Sequence, residues 1–244
     1  MQLLNDPIVQ AYKLSLGGES SFRHVITKCQ CIYSDNLPKD VHKAEKVDDL
    51  YKPLPYSKIL DNIKFYVPIA LTEKYYPALT MKSIIYDMLN CKNIKKVETF
   101  YCIIDLNFKQ HPPCADYMKL EYRDLFLSPN DENLFDEMSL WKYLLNIFEC
   151  LINGTSRYGD KDAYDLAFRR VFEFCVCVLQ TDYDYSKKKG SKPLIMECLN
   201  YNPNQRTRLN EITKYLDKLF NSGYDFVMTV VKFALLVEQI RSEN

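Results

Sequence analysis

Apolar residues return at three- and four-residue steps along much of the chain, the spacing that puts them on one face of a helix. In Asp136–Thr155 they are Leu140, Tyr143, Leu144, Ile147, Phe148 and Leu151, with Gly154 as a C-terminal stop. In Arg157–Leu179 they are Tyr164, Ala167, Phe168, Val171, Phe172 and Cys175. In Tyr224–Ile240 they are Phe226, Val230, Phe233, Leu236, Val237 and Ile240, a terminal helix either packed on the rest or offered to a partner. Ser57–Leu79 shows the same spacing, with Ser57 as N-cap and a kink at Pro68. Leu194–Phe220 predicts a short helix broken at Asn202-Pro203-Asn204, then a second helix with Leu209, Ile212, Leu216 and Leu219 on one side.

Two stretches read differently. Val25–Tyr33 and Phe100–Phe108 are short runs rich in aromatic and β-branched residues, and both predict strands. Lys52–Tyr56, with two prolines, predicts a linker, and Gly17-Gly18 a turn. Asp182–Lys192 (DYDYSKKKGSK) predicts a solvated polar loop. The fold class that follows is mainly α (α+β). Residues 1–52 form a reduced N-terminal segment containing β-structure, 53–220 a helical domain, and 221–244 a helical extension.

Composition narrows the function. The 244 residues are 47% hydrophobic and 14% aromatic, the profile of an ordered globular protein. Lysine plus arginine equal aspartate plus glutamate at 32 each, so no global basic field attracts nucleic acid. The opening residues lack a secretory pattern, and Phe226–Val237 is too short to span a bilayer, so an intracellular protein is expected. Nine cysteines then predict free thiols. Cys29-x-Cys31 and Cys175-x-Cys177 lack the usual zinc-ligand spacing, and no metal or other resident cofactor is expected.

Order and wording resemble the C-terminal lobe of a eukaryotic-type protein kinase. The lobe's D-x-W-S-L-G motif, which opens a buried central helix, is matched by Asp136, Ser139 and Leu140, with Trp141 at the glycine position. Its closing motif is matched by Cys198, Leu199, Asn202, Pro203, Arg206, Glu211 and Ile212. Ala78–Asn93 resembles the catalytic loop, with Asp87 at the catalytic aspartate and Asn93 one residue late for the metal-binding asparagine. Phe100–Phe108 resembles the strand leading into D-F-G, with Asp105 at the magnesium-binding aspartate.

The resemblance covers about two thirds of the chain, Ser57–Phe220. It implies that Asp136, Trp141 and Arg206 are structural, and that Arg206 pairs with a buried acid such as Glu121 or Asp124 in the activation segment, 109–129. The chemistry is eroded: Tyr86 replaces the catalytic-loop arginine, Leu89 its lysine and Asn107 the D-F-G glycine. Phosphoryl transfer depends on positioned phosphates, bound magnesium and a base. The expected function is therefore a catalytically impaired kinase-like protein that binds a protein partner, for instance a true kinase. Two alternatives stand beside it. One is a divergent active kinase using Asp87 as base, with Asp105 and Asn93 holding Mg-ATP; the other is an unrelated helical interaction protein.

Overall fold

The computed structural model describes residues 75–129, 134–152, 161–199 and 227–242. The expectations for Val25–Tyr33, the Lys52–Tyr56 linker, most of Ser57–Leu79, Cys29 and Cys31, and the 200–226 region with Arg206 lie outside these residues. Within them the protein is mainly α-helical, and no strand is present. Seven α-helices follow in order: α1 (Ala78–Leu89), α2 (Ile94–Gln110), α3 (Asp116–Leu127), α4 (Leu140–Ile152), α5 (Lys161–Lys189), α6 (Leu194–Cys198) and α7 (Val227–Ser242). A 3-10 turn, Leu134–Glu137, precedes α4.

The spine is α5. Its 29 residues extend about 43 Å at 1.5 Å per residue. Against it pack α1, α2, α6 and α7, while α3 joins α1, α4 and α6 on the other side. The periodic positions of the sequence form the core: Phe168, Val171, Phe172 and Cys175 of α5 are buried together with Leu140, Leu144 and Phe148 of α4 and Val230, Phe233 and Leu236 of α7. Aromatic edges lock the centre. Phe172 lies 4.7 Å from Phe148 and 5.6 Å from Phe233, both near-perpendicular, and Phe233 in turn meets Trp141 at 5.7 Å. The terminal helix is thus packed on the body through its apolar side.

Four expectations are corrected. Phe100–Phe108 is not a strand but the second half of α2, which Asn93 starts by accepting a hydrogen bond from the Lys96 N–H. Its buried residues Val97, Phe100, Ile103, Ile104, Asn107 and Phe108 repeat with helical spacing once Val97 is included. The stretch containing Asp87 is not a loop but the body of α1. The region expected to be an activation segment holds helix α3.

Asp182–Lys192, fourth, is no loop as far as Lys189. It carries α5 onward by burying Asp182, Tyr183 and Ser186 on one side, and the helix stops at Gly190, whose φ of +67° suits a residue without a Cβ.

Candidate functional site

Asp87 sits three turns into α1 with its side chain sealed. The residue is 2% exposed, its Oδ2 atom has no hydrogen-bond partner among the described residues, and its chain neighbours Ile84, Ile85 and Met88 are fully buried. Burial disfavours the charged form and pushes the carboxyl up to about 7. Asp105, on α2, forms an i,i+4 ion pair with Lys109 at 2.6 Å. Asn93 is exposed and its side-chain oxygen caps α2. Among the described residues no hydrogen bond or ion pair joins Asp87, Asn93 and Asp105; each is engaged separately. Of the expected structural residues, Trp141 is buried between Phe126 and Phe233, Asp136 lies in the turn Leu134–Glu137, and Arg206 lies outside the described residues.

Two polar constellations were not anticipated. The first is built on Asp182 of α5, which is fully buried. Its Oδ1 receives the Lys119 ammonium of α3 at 3.2 Å and the Ser186 hydroxyl at 3.4 Å, and its Oδ2 receives the backbone N–H of Leu194 at the start of α6. Lys119 also donates to the Ser186 hydroxyl and the Lys192 carbonyl, each at 2.7 Å. One carboxylate thus ties three helices. Burial raises its proton affinity while the Leu194 N–H and Lys119 lower it, the net effect being upward.

The second constellation caps α1 from a distance. Pro77, the residue before α1, offers no side-chain cap, and Glu121 of α3 supplies one by accepting the Ala78 N–H at 2.7 Å. The same carboxylate receives the Tyr75 hydroxyl at 3.4 Å; burial first, and then this carboxylate, push the tyrosine up to about 12. A carboxylate at a helix N-terminus is favoured by both the free N–H groups and the helix dipole. Glu121→Ala is expected to cost about 1–2 kcal/mol, the range for loss of an N-cap. Urea unfolding of the purified variant measures it, and a change under about 0.3 kcal/mol would show that the cap is dispensable.

The lysines near the end of α5 are positioned by local features. Lys189 reaches Asp116 at 3.5 Å and lies over the Tyr185 ring, and Lys187 lies over Tyr183. All three terminal lysines sit where the helix dipole favours positive charge. Cys175 and Cys177, considered as metal ligands, both lie on α5, and burial raises both thiols, Cys177 to about 11. Among the described residues there is no cluster of three metal-ligating side chains, and no helix is long and apolar enough to cross a membrane.

No protein-family model, curated protein or solved structure matches the chain.

Proposed function

We propose that this protein works by binding another protein, with its helical body as a scaffold rather than as a phosphotransferase. The observation that carries this reading is the environment of Asp87. A general base must come within hydrogen-bond reach of the proton it abstracts, whereas Asp87 lies in the last turn of α1 and is 2% exposed. The supporting observation is that Asp105 and Asn93 serve their own helix, one in an ion pair and the other as a cap.

A descent from a kinase C-terminal lobe is a second reading. It is favoured by the burial of Leu140, Trp141, Cys198 and Leu199, residues that the two lobe motifs use for packing. Both readings place function on a surface and not in a cleft. An experimental structure showing how Arg206 is paired would separate them.

Thermal unfolding with millimolar ATP, with and without magnesium, tests the absence of phosphoryl transfer. The expected result is an unchanged midpoint, because a ligand that binds the native state must raise it by mass action. A magnesium-dependent rise would overturn the proposal and restore Asp87 and Asp105 as candidates for catalysis.

A further inference from the structure

We infer that Asp87 makes the helical body proton-responsive: α1 is held firmly while this carboxyl carries its proton, and loosens from its neighbours when the carboxyl ionises. The geometry comes first. A buried carboxyl whose Oδ2 has no hydrogen-bond partner among the described residues is tolerated when neutral and strongly disfavoured when charged. Among the described residues no hydrogen bond or ion pair offsets that charge. Of the charged side chains on the elements packed against α1, Glu98 of α2 is held by Arg170 of α5, Asp105 by Lys109, Glu121 by Ala78 and Tyr75, Arg123 by Glu197, Asp124 by Ser128, Glu173 by Arg170 and Asp182 by Lys119, while Lys95 is exposed.

Further charged groups also lie apart from Asp87. Lys82, on α1 itself, donates to the Ser128 carbonyl, and Glu137 of the 3-10 turn is exposed. Burial is the influence that moves the Asp87 carboxyl from its ordinary value.

The second observation is the seam that would open. The turn Leu134–Glu137 packs on α1, with Tyr86, the neighbour of Asp87, 5.4 Å from the Phe135 ring and nearly perpendicular to it. Phe135 and Glu137 hold φ angles of 53° and 61°, left-handed conformations that side chains with a Cβ adopt at a cost. Such strain persists only where surrounding packing imposes it. Phe135 is fully buried between Tyr86 of α1 at 5.4 Å and Tyr143 of α4 at 5.2 Å, so packing against both helices holds it there. Loosening of α1 on ionisation of Asp87 removes the Tyr86 side of that packing and leaves the Tyr143 side in place.

The sign of the pH dependence follows from the direction of the shift. The folded protein holds the Asp87 proton more tightly than the unfolded chain, whose value is near 3.8. Below that value both states are protonated and the group contributes no difference. As pH rises from there to about 7, the unfolded chain has released its proton and the folded one has not, so stability falls; above about 7 the loss is complete.

The test compares wild type with Asp87→Asn, which keeps the shape and removes the charge. Unfolding midpoints and hydrogen-exchange protection factors of α1 are measured at pH 5 and pH 8. Wild type is expected to lose at least about tenfold in α1 protection across this interval, and the variant to lose markedly less. An equal loss in both proteins would overturn the inference. To separate the titration from any effect of the variant on folding, the Asp87 carboxyl carbon is also followed by NMR in the wild-type protein. A titration near neutrality supports the inference; one near pH 4 refutes it.

Discussion

Asp182→Ala is expected to destabilise the protein by about 3–5 kcal/mol, the cost of removing one partner of a buried ion pair. The side chain is fully buried and meets Lys119, Ser186 and the Leu194 N–H at once, so its loss leaves the ammonium without its counter-charge and the backbone N–H without its acceptor. Denaturant unfolding gives the magnitude, and a value under about 1 kcal/mol would show that water replaces the carboxylate readily. A double variant, Lys119→Met with Asp182→Leu, should recover most of the loss, since well-packed apolar groups often match a buried pair in stability. The contrast between single and double variants distinguishes an abandoned charge from an emptied space.

Phe172→Ala comes next, with an expected cost of about 3–5 kcal/mol for a large aromatic removed from a packed core. Phe172 is fully buried and meets rings from α4 and α7 as well as Phe168 on its own helix, stacked at 6.3 Å. Truncation removes contacts to two other helices together, and those helices can collapse only partly onto the cavity. Leu120→Ala provides the comparison, because Leu120 is 58% exposed and its loss should stay within about 0.5 kcal/mol. Calorimetric or denaturant unfolding of both variants decides the matter. A Phe172→Ala cost below about 1.5 kcal/mol would mean that the centre of the body is not packed around this ring.

The helices were legible where a sustained apolar stripe defined them. Leu140–Phe148, Tyr164–Cys175 and Val230–Ile240 all form helices whose repeating residues are largely buried. Phe100–Phe108 was misread because a short run of phenylalanine, tyrosine and isoleucine does not distinguish a buried strand from one side of a helix. The deciding information lay outside the run, in the cap at Asn93 and the buried Val97.

The end of α5 was misread for the opposite reason. DYDYSKKK looks solvated, but Asp182 and Ser186 within it face inward, where Lys119 of α3 and the N–H of Leu194 meet them. Local pattern cannot reveal a partner supplied by a distant helix. Of the candidate site, the carboxylates were visible as residues and their environments were not. Asp87 is informative through its enclosure and Asp105 through its lysine, and both properties arise only when the helices pack.

The position of α7 has a consequence for how the protein is made. Phe233 on that helix completes the walls around Phe172 and Trp141, yet it leaves the ribosome after α1 to α6 have all been synthesised. Until then the long spine offers an unfinished apolar face to the cell, the kind of transient surface that invites association with chaperones or with other nascent chains. Completion of the core is thereby timed by translation: the last described helix to emerge is also the one that closes it.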